Sequence, residues 1–109
     1  MKLLTKELLK QFPALYATQG KPPEEILIIA KIFHPCTPCT WYATEYDPEE
    51  RIFFGYADLG DPENAELGYF SLDEMQSIKI MGLGIERDLY YGKHYLSEVI
   101  HNRSEGGEL

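Results

Sequence analysis

The chain divides into segments where apolar residues recur at helical spacing and segments where they alternate or run together. Near the N-terminus Leu8, Leu9 and Phe12 make a stripe at helical spacing. The stripe predicts a short helix over Leu3–Gln11, with Thr5 as N-cap because its hydroxyl can accept a free first-turn N–H. Pro13 ends it, since a residue before proline is pushed out of the helical region. After a Gly/Pro loop at Thr18–Pro23, the run Glu25–Phe33 is rich in β-branched residues and has Lys31 as its only interior charge. It predicts one long strand, central in a sheet and buried on both faces.

His34–Cys39 is a loop held by two prolines. Trp41–Tyr46 and Ile52–Ala57 then flank Asp47-Pro48-Glu49-Glu50, a turn in which Asp can bond its own backbone and Pro is preset at the next position. Two strands joined by so short a loop make an antiparallel hairpin, the element around which the rest is arranged. Gly60–Asn64 is another loop, and Leu67–Phe70 a fourth, aromatic strand. Ser71-Leu72-Asp73-Glu74 matches the capping box and predicts a helix over Leu72–Ser77. Ile78–Ile80 reads as a brief extended piece, Gly82–Gly84 as a turn, and Arg87–Tyr91 as a last strand. Ser97–His101 reads as a helical turn capped by Ser97. The fold class is therefore α+β: an antiparallel sheet of four to five strands with short helices at one side. Residues 1–101 form a single domain and 102–109, without apolar content, a flexible tail.

Composition narrows the function. The chain has 109 residues and a net charge of −8, from 18 acidic and 10 basic residues. So acidic a chain is not expected to bind nucleic acid directly, which needs clustered Lys and Arg, nor an anionic membrane. No apolar run approaches a membrane span, and the N-terminus lacks a signal-peptide cleavage pattern. Two Cys in such a chain point to a reducing cytoplasm. An acidic surface suits a basic protein partner, or an acidic decoy for a protein that binds nucleic acid.

Three constellations carry candidate chemistry. Cys36-x-x-Cys39 with His34 could hold Zn²⁺, with His94 as a fourth ligand, but no second ligand pair at close spacing accompanies it. A redox role would require that motif to open a helix, and it lies between strands. Glu45, Glu66, Glu86 and Asp88, if they met, could bind a divalent cation or work as acid and base. Alternation puts Glu86 and Asp88 on one face and Arg87 on the other. It also puts Glu45 with Trp41 and Ala43, opposite Tyr42, Thr44 and Tyr46. The plainer expectation is a solvated sheet face on which such charges make cross-strand ion pairs, for example Glu45 with Arg51 or Arg87. The third constellation is aromatic. Trp41/Tyr42, Phe53/Phe54, Tyr69/Phe70 and Tyr90/Tyr91 each place a ring on both faces of the sheet, so one face is core and the other presents a Tyr-rich binding surface unless something covers it.

The blocks TWYATEYDPEE, ELGYFSLDE and GIERDL resemble a bacterial family of small proteins known only as a domain of unknown function, common on plasmids and other mobile elements. The resemblance runs from MKLLTKELL to about Ile100 and is most specific over Thr40–Glu50 and Ile85–Leu89. It implies a compact, cytoplasmic α+β protein and transfers no catalytic residue or cofactor. The resemblance also implies that the loop carrying Cys36 and Cys39 is variable in sequence. The reading that follows is a non-enzymatic interaction module meeting a protein partner through Trp41, Tyr42, Glu45, Tyr46, Glu86, Asp88 and Tyr90. The alternative is a small metal-binding protein or metal-dependent enzyme using the acidic cluster or His34, Cys36 and Cys39. A homodimer paired through a sheet edge is a third possibility.

Overall fold

The computed structural model describes residues 4–100. Among the described residues there are seven strands: β1 (Leu27–Ile28), β2 (Ala30–Phe33), β3 (Cys39–Asp47), β4 (Ile52–Leu59), β5 (Glu66–Ser71), β6 (Glu86–Arg87) and β7 (His94–Tyr95). Helices α1 (Lys6–Leu9) and α2 (Leu72–Ser77) accompany them, and residues 96–100 are also helical. The main sheet is antiparallel with order β5-β4-β3-β2-β6, and β1 and β7 form a second, two-stranded sheet. The chain is thus an α+β fold built on the β3–β4 hairpin.

Local chemistry sets the element ends. The Thr5 hydroxyl accepts from Leu8 N at 3.1 Å and the Ser71 hydroxyl from Glu74 N at 3.2 Å, so both expected caps form. In the β3–β4 turn Asp47 Oδ1 accepts from Glu49 N at 3.0 Å. Arg51, at φ 57°, takes the left-handed position that lets the chain re-enter β4.

Trp41, Ala43, Tyr46 and Phe53 on one face meet Leu8 of α1 and Leu72 and Met75 of α2. On the other face Tyr42 and Tyr56 meet Ile26, Ile28, Leu96 and Val99. Helices at one side was the expectation, and α1 and α2 lie there. The opposite face is covered by β1, β7 and the 96–100 segment, so the rings of Trp41, Tyr42 and Tyr46 are core groups, each 6% exposed or less.

Three expectations change. The apolar run Glu25–Phe33 is not one strand: Pro23–Glu25 is a 3₁₀ turn, and the rest splits at Ile29. Leu27 and Ile28 pair with Tyr95 and His94, whereas Ala30–Phe33 pair with β3. A run buried on both faces is consistent with either arrangement, because periodicity reports burial and not which sheet a residue joins. The strand expected at Arg87–Tyr91 is instead the two residues Glu86–Arg87, and a further one appears at His94–Tyr95. The final helical segment starts at Leu96, with the Glu98 carboxylate accepting from Tyr95 N, so Ser97 is not its cap. His101 and the expected tail 102–109 lie outside the described residues.

Candidate functional site

The decisive local feature is a β-bulge. Ala43 pairs with Gly55, but Glu45 pairs with Phe54 and Tyr46 with Phe53, so the register shifts between Ala43 and Glu45. A bulge sets two residues of one strand against one of its partner and reverses the facing of everything beyond it. Gly55 permits it: a Cβ there would stand 2.0 Å from the Tyr42 carbonyl oxygen. Thr44 and Glu45 therefore share a face with Phe54 and Tyr69, and Tyr46 joins Trp41, Ala43 and Phe53. Strict alternation had placed Glu45 with Trp41 and Tyr46 with Tyr42, and both assignments are reversed.

Glu45 is 3% exposed and does not make the expected ion pair. Arg51 pairs instead with Asp73, Nε to Oδ1 2.9 Å. The Glu45 carboxylate binds main chain. Tyr16 N donates to Oε1 at 2.8 Å, Thr18 N donates to Oε2 at 2.9 Å, and the Thr18 hydroxyl also donates to Oε2. Next to it Tyr46 N donates to Pro13 O at 3.0 Å. The bulge thus ties down the segment 13–18, including Tyr16 in the left-handed region at φ 72°. A non-glycine residue there costs on the order of 1–2 kcal/mol. The charge-assisted bonds from Tyr16 N and Thr18 N to one carboxylate offset that cost, at about 1.5–3 kcal/mol each.

This arrangement closes one side of a cavity of about 320 Å³. Phe54, Leu67, Ile26 and Leu96 give it apolar walls, Thr44, Thr18 and Glu45 a polar base, and Tyr16 and Tyr69 a rim. The two rim rings meet edge-on at 6.5 Å, and Tyr69 also meets Phe54 edge-on at 5.1 Å. The hydrogen bond with Tyr16 raises the Tyr69 phenol above its usual pKa, with partial burial and the Glu45 charge adding to the effect. A mostly apolar hollow with a few convergent polar groups is the form that ligand sites usually take.

A second hollow, a cleft of about 510 Å³, lies between β2, β6 and the loop after β6. Glu86, Asp88 and Tyr90 line it, together with Lys31, His34 and Cys39. The cleft brings together three of the expected binding residues, Glu86, Asp88 and Tyr90, and two of the expected metal ligands, His34 and Cys39, with Tyr90 95% exposed. Lys31 Nζ stands 3.8 Å from Asp88 and lies over the Tyr42 and Tyr91 rings at 5.9 and 5.2 Å. Tyr91 is held far above the usual tyrosine pKa by burial first, then by Tyr42, Glu98 and Asp88. Arg87 Nε is buried with no hydrogen-bond partner among the described residues.

His34 is 2% exposed and both ring nitrogens are engaged. Cys36 N donates to Nδ1 at 3.0 Å, so Nε2 carries the proton that it donates to Leu83 O at 2.9 Å. The ring links the β2–β3 loop to the turn at 80–83. Both cysteines are free thiols, Cys36 exposed and Cys39 half-buried. Among the described residues no three His, Cys, Asp or Glu side chains come close enough to hold a metal ion. Glu45 belongs to one hollow and Glu86 and Asp88 to the other, while Glu66 is exposed at the start of β5.

The family model described as protein of unknown function (DUF2958) matches residues 3–109. The chain belongs to that family. No curated protein and no solved structure matches the chain. Family membership assigns no activity, so within the family the case for a site rests on geometry alone. No helix among the described residues is long and apolar enough to cross a membrane.

Sequence reasoning missed Tyr16, Thr18, Phe54 and Leu67 as lining groups. Phe54 and Leu67 were legible as strand residues, but their meeting with Tyr16 and Thr18 depends on the bulge. Its one local signal is Gly55, an isolated glycine inside a strand pattern, which often marks a bulge or a close backbone approach.

Proposed function

We propose that the protein is a non-enzymatic protein-interaction module of the cytoplasm, of a kind carried by mobile elements. Its contact surface is the outer strand β5 with the adjoining Glu45 cavity. The observation that carries this reading is the contrast between the two edges of the main sheet. β6 is two residues long, charged at both, and followed by Asp88. Short, charged edges are the usual defence against unwanted strand pairing. β5 is six residues long, and Leu67–Phe70 carry neither charge nor proline. Leu67 and Tyr69 are 44% and 55% exposed there. An undefended edge beside an apolar hollow is the surface a protein would keep for a partner.

Net charge selects that partner. A chain at −8 repels acidic proteins and attracts basic ones. Host nucleic-acid-binding proteins present such surfaces, which makes an acidic decoy for one of them the specific form of the proposal. A pull-down from a bacterial host, with the purified protein and its Leu67→Lys variant as baits, tests it. A basic protein retained by the wild type, lost with the variant and inhibited in DNA binding by the wild type is the expected result. Retention of no protein above an unrelated acidic bait overturns the interaction reading.

A further inference from the structure

We propose that the occupant of this surface is an extended basic peptide segment that adds as a sixth strand to β5 and seats one large apolar side chain over the Glu45 cavity. The proposal deepens the interaction reading and rests on it.

The main chain is the first part of the argument. β5 pairs on one side only, with β4, in the register Ile52↔Ser71 to Ala57↔Glu66. Among the described residues no main-chain hydrogen bond reaches its outer edge. That edge offers the alternating N–H and C=O groups which strand addition uses for affinity, while side-chain pockets supply selectivity.

The side chains specify more. Along β5, Leu67 and Tyr69 face the cavity and line it. A residue on an added strand facing the same way would have its Cβ about 4.5–5.5 Å from its β5 neighbour, so a Phe- or Leu-sized group there reaches the hollow. Its volume of about 320 Å³ fits one large side chain with room for a neighbouring polar group. On the opposite face Gly68 leaves a gap, since a Cβ there would meet nothing within 4 Å. The adjacent residue of the incoming strand would fill that gap, as a bulky neighbour covers an edge glycine. The preferred segment therefore carries two consecutive bulky residues, one for each face.

Charge sets the flanks. Asp61, Glu63 and Glu66 precede the exposed stretch and Glu74 follows it, next to Asp73, which is paired with Arg51, and 61–74 contains no Lys or Arg. Within the cavity Glu45 accepts three hydrogen bonds, and an ionised carboxylate has about four acceptor positions. Lys or Arg flanking the bulky pair would meet the acidic ends of β5. A second copy of this chain is disfavoured as occupant, because two bodies of −8 would bring those acidic ends together.

The probe is a fluorescein-labelled nine-residue peptide of alternating Lys and Val with a central Phe–Val pair, followed by anisotropy and by amide exchange of the protein. Wild type should bind it, and exchange at 66–71 should slow. The Leu67→Lys and Tyr69→Ala variants should weaken binding at least tenfold. Both positions are exposed, and Trp41 fluorescence verifies that each variant is folded. A peptide with alternate N-methylated amides needs no protein variant and should not bind, because its edge cannot pair. Equal binding of that peptide, equal binding of a Glu-for-Lys peptide, or protection at 86–90 in place of 66–71 would each overturn the proposal. So would sedimentation of the free protein as a dimer that Leu67→Lys dissociates. A host protein retained equally by wild type and Leu67→Lys would overturn strand addition while leaving the broader interaction reading in place.

Discussion

Replacing Glu45 by Gln keeps the side-chain volume and removes the charge and one acceptor. In the native protein Oε1 serves Tyr16 N and Oε2 serves Thr18 N and the Thr18 hydroxyl. Whichever way the amide turns, its NH₂ faces a main-chain N–H that cannot turn away. If it faces Thr18, the hydroxyl can rotate to accept, but Thr18 N cannot. One buried donor is left unpaired, at about 1–3 kcal/mol, and the surviving bonds fall from charge-assisted to neutral strength. The sum is a loss of roughly 2–4 kcal/mol, a large part of the 5–15 kcal/mol typical of a domain. For a chain of this size that is about 8–16 °C in Tm, at about 4 °C per kcal/mol. Urea unfolding followed through Trp41, the one tryptophan and 6% exposed, measures it directly. A second arm pairs Glu45→Gln with Thr18→Val. The two changes share a hydrogen bond, so their effects should fall short of additive by more than about 0.5 kcal/mol. A loss below about 0.5 kcal/mol for Glu45→Gln, at the level of an ordinary surface substitution, would refute the account of Glu45 as the tether of segment 13–18.

Gly55→Ala should cost about 2–4 kcal/mol, because the new Cβ meets the Tyr42 carbonyl at 2.0 Å and backbone must move; urea unfolding checks it. The same variant, examined by amide exchange, should loosen 13–18 ahead of the rest, since relaxing the bulge re-aims Glu45. His34→Leu leaves Cys36 N and Leu83 O without their partner and should lose about 1–3 kcal/mol, with faster exchange confined to 34–39 and 80–85. Glu98 is held below its usual pKa first by Tyr95 N and then by His94. Its contribution is present above the unfolded value near 4.5 and is lost as pH falls through the lower folded value. The stability gap between wild type and Glu98→Gln, measured by urea unfolding from pH 6 to pH 3, should therefore narrow below about pH 4.5.

Much of the fold was legible because the signals involved are local. Thr5 and Ser71 are caps whose partner lies three residues away, and Asp47 closes a turn onto Glu49, so each could be placed from a few letters of sequence. The β3–β4 hairpin followed from its short polar turn. What escaped notice depends on distant segments. The covering of the Tyr42 face requires Leu27 and Ile28 to leave the main sheet and pair with Tyr95 and His94, some seventy residues away. Nothing in the run of apolar letters from Ile26 to Phe33 records that exchange, because both destinations bury the same side chains.

The candidate site was half legible for a different reason. Glu86, Asp88 and Tyr90 follow one another on or just after a short strand, so their convergence on one cleft needs no long-range information. Glu45 was one of four acids read as candidates and was given the wrong face, because a period of two carries no memory of an inserted residue. A single bulge turns a carboxylate that would have opposed the α1–α2 core into the base of a cavity, and the same step sends Tyr46 into that core against Phe53 at 4.6 Å. The exchange is favourable on both sides: an aromatic replaces an acid in the apolar layer, and the acid meets main-chain donors instead of hydrocarbon. The cost of burying Glu45 unpaired thus supplies a physical reason for the bulge that Gly55 permits, and the bulge sets Glu45 beside the Phe54–Tyr69 wall next to the open edge of β5.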